Sequence, residues 1–141
     1  SRMYPQQVLG YDTASSLQER VDMANGWDAD YFISIHCNYN ADPAINGSEV
    51  YVYQEYSIAW QLAQDVLSNM VRTARTKDNL VRVNPSFYVL RRTRMPAILV
   101  ELAYLSHPSD AQKLRDDPFS FAYGIYLGIL QFIFEQGGFP A

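Results

Sequence analysis

A single acidic residue lies at the centre of the most apolar stretch of this chain. Residues 97–105 read AILVELAYL, so Glu101 has only apolar neighbours for four positions on either side. The run is short, follows Pro96 and predicts a β-strand in the interior of a sheet. Burying a lone carboxylate costs several kcal/mol, so Glu101 is expected to be ion-paired, bound to a metal or catalytic. The structural alternative is an ion pair with Arg91 or Arg94.

The rest of the sequence alternates between strand-like and helix-like segments. Strands are predicted near residues 31–36, 49–53, 86–90 and 97–103, and helices near residues 16–26, 57–75 and 118–135, with a further short helix from Pro108. This alternation is typical of an α/β fold with a mostly parallel, twisted sheet flanked by helices. Residues 118–134 carry no charged side chain, but they fall short of the about 20 apolar residues of a membrane span. We therefore expect a buried C-terminal helix and no membrane span.

Composition narrows the classes of function. The 141 residues fit one domain, and 48% apolar with 18% charged residues exclude a disordered chain. The net charge of −4 argues against binding to nucleic acid or to an anionic membrane. We therefore expect no nucleic-acid partner. Cys37 is the single cysteine and cannot form an intramolecular disulfide.

A histidine ends the predicted strand at residues 31–36. In open α/β sheets, ligands bind beyond the carboxyl ends of the strands, which makes His36 a candidate site residue. Alternation along the strand places Ser34, His36 and Asn38 on one face and Cys37 on the other. A catalytic pair of His36 and Cys37 is therefore not expected, and Cys37 is predicted to be a small buried residue. Taken alone, a histidine at a strand end is more often a hydrogen-bonded structural residue than a metal ligand.

Five stretches of the sequence together form a more specific pattern: residues 17–25 (LQERVDMAN), 29–38 (ADYFISIHCN), 47–52 (GSEVYV), 87–91 (FYVLR) and 95–106 (MPAILVELAYLS). Their order and spacing resemble those of the zinc-dependent N-acetylmuramoyl-L-alanine amidases of bacterial cell walls. The SIHxN motif alone would be weak support. Together with GxEV, YVLR and MPAxLVE it indicates this family, whose fold is an α/β sheet of the phosphorylase/hydrolase-like kind.

The resemblance implies a reaction and the residues that carry it. In the family, the histidine of SIHxN is a zinc ligand and the glutamate of the PAxLVE strand is the catalytic carboxylate. His36 is therefore the expected ligand of one Zn²⁺, and Glu101 the expected general base and proton shuttle. Asn38 and Arg91 are expected to line the same cleft as contacts to the glycan or to a stem-peptide carboxylate. The implied reaction is hydrolysis of the amide bond between N-acetylmuramic acid and L-alanine in peptidoglycan.

The sequence also departs from the family pattern. The family's other two zinc ligands are a histidine in a GHGG-type loop and a glutamate on the following helix, and neither motif occurs in this chain. Ser1-Arg2 resembles the end of the family's second strand, so residues 1–141 are expected to be the C-terminal portion of a single catalytic amidase domain, with the N-terminal strands missing. One edge or face of the sheet should then be apolar and uncovered. His107 is interpreted as a residue of a surface loop.

Two further expectations concern the place and class of the protein. Residues 49–57 pass directly from a strand into a helix, which leaves no room for the long inhibitory insertion of some family members. In this respect the chain resembles the sporulation, germination and phage-like amidases, which lack the insertion. The peptidoglycan substrate implies an extracytoplasmic location. The protein is expected in the cell wall or secreted, and association with the spore is one alternative within that expectation. The alternative is a non-catalytic peptidoglycan-binding or regulatory protein that has lost its metal site.

Overall fold

The computed structural model describes residues 12–138. The elements in chain order are α1 (Thr13–Gly26), β1 (Phe32–Asn38), β2 (Ser48–Val52), α2 (Ile58–Ala74), β3 (Asp78–Val83), α3 (Tyr88–Arg92), β4 (Ala97–Tyr104), α4 (Pro108–Asp116) and α5 (Pro118–Glu135). All four predicted helices are confirmed. The first begins earlier than expected because Asp12 caps it, in a reciprocal pair of hydrogen bonds with Ser15. The interpretation of Ser1-Arg2 as a strand end lies outside the described residues.

The described strands form one sheet in the order β1–β4–β2–β3. β1 is parallel to β4 and β2 is parallel to β3, whereas β2 and β4 are antiparallel. The predicted α/β fold with a mostly parallel sheet is confirmed, but the sheet is mixed. The antiparallel step follows from the short connection between β1 and β2, residues 39–47, because a parallel crossover needs about a dozen residues or more.

One strand was misplaced by the sequence pattern. The strand predicted at residues 86–90 is wrong, because this segment enters the short helix α3, where Phe87 accepts backbone hydrogen bonds from Leu90 and Arg91. The run is too short for its apolar residues to distinguish a strand from a helical turn. The fourth described strand is instead β3, which the sequence did not indicate because it lies at the sheet edge and buries only Val81.

The two faces of the sheet are covered to different extents. On the back face, β4 contributes Ile98 and Val100 to a large core with α2, against which α5 packs. On the front face, α1 and α3 pack over the first half of β4, around Ala97 and Leu99. Glu101 is the next residue of β4 on the front face, so it lies where the covering helices end.

Helix α5 is held close to α2 by two glycines. A Cβ atom at Gly124 would lie 2.5 Å from Cα of Met70, and one at Gly128 would lie 2.6 Å from the carbonyl oxygen of Asp65. The apolar side of α5 that this contact leaves uncovered carries Phe119, which is 72% exposed. The expectation of a buried C-terminal helix is therefore met on one side of α5 only. None of the helices among the described residues has the length and apolar character needed to cross a bilayer.

We expect Gly128→Ala to lower the free energy of unfolding by about 1–3 kcal/mol, since the new methyl group meets backbone atoms of α2 that cannot rotate away. The matched control is Gly26→Ala at the end of α1, where an added Cβ meets no atom within 4 Å. That control should be neutral or slightly stabilising, because alanine favours a helix more than glycine does. Urea denaturation of both variants measures the difference, and equal effects would contradict the tight α2–α5 contact.

Candidate active site

Three ionisable side chains lie side by side across the front of the sheet. His36 on β1 is the register partner of Glu101 on β4, and Glu49 on β2 is the partner of Glu101 on its other side. Register partners on neighbouring strands point to the same face of a sheet. The structure therefore brings His36 and Glu101 together at the carboxyl ends of two parallel strands, and it adds Glu49.

A bulge in β4 adds Tyr104 to the same face. His36 pairs with Glu101 but Asn38 pairs with Tyr104, so two steps along β1 correspond to three along β4. The buried carboxylate of Asp110, at the start of α4, fixes this arrangement by accepting hydrogen bonds from the backbone N–H groups of Tyr104, at 3.0 Å, and Gly47, at 2.8 Å. The bulge thus aims a tyrosine hydroxyl at the row of ionisable groups.

Glu49 is buried and fully bonded. Its Oε1 accepts hydrogen bonds from Asn38 Nδ2 at 3.0 Å and from the Tyr104 hydroxyl at 2.6 Å, and its Oε2 accepts from the Tyr51 hydroxyl at 2.8 Å. Arg82 Nε forms an ion pair with the same Oε2 at 3.2 Å. Glu49 is 1% exposed and has three hydrogen bonds and one ion pair, so its carboxylate is engaged within the protein and not open to a substrate, a water molecule or a metal ion.

The two tyrosines that bond to Glu49 are held in their protonated form. Burial, the hydrogen bond to Glu49 and its negative charge raise the pKa of Tyr51 to about 12. The same causes, in the same order, raise the pKa of Tyr104. Both hydroxyls therefore remain hydrogen-bond donors at neutral pH.

Glu101 has the opposite environment. Its Oε2 is buried and has no hydrogen-bond partner among the described residues. Burial, and to a smaller extent the negative charge of Glu49, raise the pKa of Glu101 to about 7. The structural alternative, an ion pair with Arg91 or Arg94, is wrong, because the ion pairs among residues 12–138 join other side chains. Glu101 is thus a carboxyl group that can bind and release a proton near neutral pH.

His36 is half-buried beside Glu101. Its Nε2 lies 2.7 Å from Oγ of the buried Ser34, a bond that orients the ring. Burial, followed by the positive charge of Arg20, lowers the pKa of His36. The imidazole is therefore neutral at physiological pH, the form in which histidine binds metals.

The described residues do not complete a zinc site. A catalytic zinc needs three protein ligands. Between residues 12 and 138 there is no group of three or more histidine, cysteine, aspartate or glutamate side chains placed to hold a metal ion. His36 is the one imidazole of this row, and the carboxylate of Glu49 is already fully bonded.

The other two predicted site residues, Asn38 and Arg91, differ in their location and in how far their side chains are already bonded. Asn38 lies in the row, but its amide is engaged, since Nδ2 donates to Glu49 and Oδ1 accepts from the backbone N–H of Tyr39 at 2.9 Å. Arg91 lies exposed on α3, with its guanidinium carbon 5.9 Å from the ring centre of Tyr88. The structure thus gives Asn38 two internal hydrogen bonds and leaves one N–H of its amide and the guanidinium of Arg91 able to contact a ligand.

Two expectations at the margin of the site have different outcomes. Cys37 is exposed, so the prediction that it is buried is wrong; β1 lies at the sheet edge and its back face is not covered there. His107 lies in the loop before α4, as expected, where its Nδ1 is 2.9 Å from the carbonyl oxygen of Pro43 and joins two loops.

Four residues of the site were assigned no role from the sequence: Glu49, Tyr51, Arg82 and Tyr104. Only Glu49 gave a usable signal, because residues 49–53 read EVYVY and place an acidic residue at the start of a strand rich in valine and tyrosine. The others depend on the antiparallel pairing of β2 with β4 and on the bulge, which no local pattern indicates.

A cavity of about 400 Å³ lies next to this row, along the edge of β1. Its lining includes Trp27 and Ile35, which are 61% and 53% exposed, and Arg20, whose Nε is buried without a hydrogen-bond partner among the described residues. The expected apolar and incompletely covered sheet edge is therefore present in the part of the chain that the structure describes.

The sequence and fold of this chain match a known family of proteins. The model of the N-acetylmuramoyl-L-alanine amidase family matches residues 6–131. The chain belongs to this family. The crystal structure of an amidase from Clostridium difficile 630 is 33% identical, superposes with a TM-score of 0.79 and is matched over 86% of this chain and 67% of that one. The fold and family expected from the motifs are confirmed.

Two relatives from Bacillus subtilis (strain 168) are longer than this amidase-family chain. The amidase LytC is 41% identical over 106 residues, which are 74% of this chain and 21% of LytC. A sporulation-specific N-acetylmuramoyl-L-alanine amidase is 34% identical over 122 residues, which are 85% of this chain and 47% of that protein. The chain thus spans half or less of the length of these relatives.

The contrast between the two carboxylates predicts opposite effects of the same substitution. A carboxyl group whose pKa is raised from 4.5 to about 7 binds more protons folded than unfolded, so its contribution to stability falls as pH rises through that window. Glu101→Gln should therefore unfold at a higher urea concentration than the parent above pH about 7, with a shallower fall in stability between about 5 and 7. Asp65, whose pKa burial also raises to about 7, leaves a residual slope in both proteins.

Glu49→Gln is the matched comparison. The NH₂ group of the introduced glutamine would face hydrogen-bond donors, so we expect the free energy of unfolding to fall by roughly 2–4 kcal/mol. Both variants are measured by urea denaturation with a chelator present. A stable Glu49→Gln protein, or a destabilised Glu101→Gln protein, would contradict the division between the two groups.

Proposed function

We propose that residues 1–141 form part of a single catalytic amidase domain that cleaves peptidoglycan between N-acetylmuramic acid and the L-alanine of the stem peptide. The observation that carries this proposal is the unpartnered, buried Oε2 of Glu101 beside His36, at the open half of the front face. A buried carboxyl group without a partner destabilises the fold, which is typical of a group retained for its chemistry.

Glu101 is the proposed proton shuttle. Its carboxylate takes a proton from the water molecule whose oxygen attacks the amide carbon. The protonated carboxyl group then gives that proton to the nitrogen of L-alanine as the carbon–nitrogen bond breaks, which yields the lactyl carboxylic acid and a free amine. A pKa of about 7 suits both transfers, because the group must accept and release the proton at the same pH.

We further propose that His36 is one ligand of a single Zn²⁺. The neutral, oriented imidazole beside Glu101 supports this role. Since residues 12–138 provide no complete ligand set, the remaining ligands have to come from outside the described residues, and the proton steps above are assigned to Glu101 alone.

Asn38 and Arg91 are proposed to contact the substrate. Asn38 retains one N–H of its amide beyond the bond to Glu49, and Arg91 presents an exposed guanidinium on α3. Peptidoglycan as substrate supports a location outside the cytoplasm, in the wall or secreted, and the sporulation-specific relative is compatible with a spore-associated protein. The absence of a nucleic-acid partner stays a prediction.

A second candidate function is a peptidoglycan-binding or regulatory protein without catalytic activity. One observation favours it, namely that the described residues contain no group of three metal ligands. The two functions differ in zinc content and in the release of stem peptides.

We expect the full product of the gene to bind one Zn²⁺ and to release stem peptides from purified peptidoglycan. Glu101→Gln should abolish release and retain the zinc, because the side chain moves protons and does not hold the metal. His36→Ala should lose the zinc itself. Elemental analysis and a peptide-release assay measure the two effects, and the 141-residue chain assayed alongside should bind zinc weakly or not at all.

Other results would reject these assignments. Full activity of Glu101→Gln would remove Glu101 from the reaction. Zinc-free, inactive protein from the whole gene would establish the non-catalytic alternative. Tight stoichiometric zinc in the 141-residue chain would mean that its ligands lie within this sequence.

A further inference from the structure

Arg82 presents a fixed guanidinium group with an open outer side. Its Nε donates a hydrogen bond to the carbonyl oxygen of Asn79, at 3.0 Å, and lies 3.2 Å from Oε2 of Glu49, with which it forms an ion pair. The two terminal NH₂ groups form no hydrogen bond with any described residue, and the side chain is 53% exposed. The inner edge of the guanidinium is therefore held in place, while its outer fork faces solvent.

This guanidinium lies on the same face of the sheet as Glu101. Glu49 is the strand neighbour of Glu101, and Tyr51, two residues along the same strand, is the register partner of Arg82. Neighbouring strands are about 4.8 Å apart and two residues along a strand span about 6.6 Å, so the Cα atoms of Arg82 and Glu101 are about 12 Å apart. The guanidinium lies closer to Glu101 than its Cα does, because it reaches Glu49. An extended peptide covers about 12 Å in three to four residues.

We propose that Arg82, positioned by Glu49, is the cationic group of a subsite that binds a free carboxylate of the stem peptide on the L-alanine side of the scissile amide. The inference rests on the proposed function, because it needs the scissile bond to lie at Glu101. The group that leaves with L-alanine is the part of the substrate that carries the carboxylates, whereas the glycan side of the bond offers mainly hydroxyl and amide groups.

The chemistry of Arg82 favours a carboxylate over a neutral group. A guanidinium fork forms two parallel hydrogen bonds to a carboxylate, which a carboxamide cannot match because its NH₂ end is a donor. The charge of Glu49 lies on the inner edge only, where it is also bonded by Asn38, Tyr51 and Tyr104. The two terminal NH₂ groups of Arg82 therefore remain available to donate hydrogen bonds to a carboxylate of the ligand.

The subsite would make Arg82 a specificity-determining residue. It would distinguish stem peptides whose second residue has a free α-carboxylate from those in which this group is amidated. Glu49 would be a positioning residue, since it contacts Arg82 and not the substrate.

Binding of two small ligands to the 141-residue chain tests the proposal. The probes are N-acetylmuramoyl-L-alanyl-D-glutamate and the same compound with an α-carboxamide, both with the γ-carboxyl group blocked as a methylamide so that only the first has a free carboxylate. They are titrated by NMR with a chelator present so that neither is cleaved. We expect the carboxylate ligand to bind about tenfold more tightly and to shift the side-chain resonances of Arg82. In Arg82→Gln the two ligands should bind equally.

Two further variants control the experiment. Arg115→Gln removes a 70% exposed arginine on α4 whose ion pair is with its neighbour Asp116 and not with Glu49, and should keep the tenfold preference. Arg82→Lys keeps a positive charge beside Glu49 but loses the fork, so most of the preference should disappear while the fold, followed by the NMR spectrum, is retained. If Arg82→Gln does not fold, the lysine variant and the two ligands on the unmodified chain decide the question.

Three results would overturn the subsite: equal binding of the two ligands to the unmodified chain, a preference that persists in both Arg82 variants, or no binding of either ligand. A tenfold preference that depends on Arg82, in a protein whose full gene product does not release stem peptides, would support the subsite and reject the proposed hydrolysis instead.

Discussion

The site depends on two carboxylates that occupy adjacent positions on neighbouring strands. Glu49 and Glu101 are register partners on one face of the sheet, so their charges repel each other in a partly buried environment. The structure resolves this conflict by giving all the hydrogen-bond donors to one of them. Glu49 accepts hydrogen bonds from Asn38, Tyr51 and Tyr104 and forms an ion pair with Arg82, whereas Glu101 has a buried oxygen without a partner and a pKa of about 7.

Three features of the surrounding fold produce this unequal division of hydrogen bonds between Glu49 and Glu101. The antiparallel pairing of β2 with β4 places Glu49 beside Glu101, and the β4 bulge turns Tyr104 towards Glu49 instead of into the back-face core. Asp110 holds the bulged end from α4. Each of these features positions Glu49 or one of its hydrogen-bond partners, and none forms a hydrogen bond with Glu101. The pKa of Glu101 is therefore raised mainly by its own burial and to a smaller extent by the negative charge of Glu49, which these features hold beside it.

The sequence revealed the parts of this arrangement that local patterns encode. Alternation along 31–38 put Ser34, His36 and Asn38 on one face, and the apolar surroundings of Glu101 marked it as a buried carboxylate. The set of partners around Glu49 could not be predicted in this way, because Asn38, Arg82 and Tyr104 come from the three other strands and the position of Tyr104 depends on a bulge. The edge strand β3 was missed for a related reason: its Leu80 has a φ of 73°, and its residues are mostly polar or exposed, so no alternating apolar pattern marks it.

The difference between the two faces of the sheet has a consequence for the chemistry. The back face is rigidly packed, since α5 approaches α2 so closely that glycines are required at two positions, and the core beneath them fixes Ile98 and Val100 of β4. Glu101 follows directly on that strand, so its backbone is held from behind while its side chain faces the half of the front that α1 and α3 leave uncovered. The proton-transfer role proposed for Glu101 needs this combination, because a shift of about 1 Å in the position of such a group costs far more rate than the small strain of holding it still. The unpartnered carboxyl group destabilises the front of the sheet, and the close packing at the back compensates for this loss of stability.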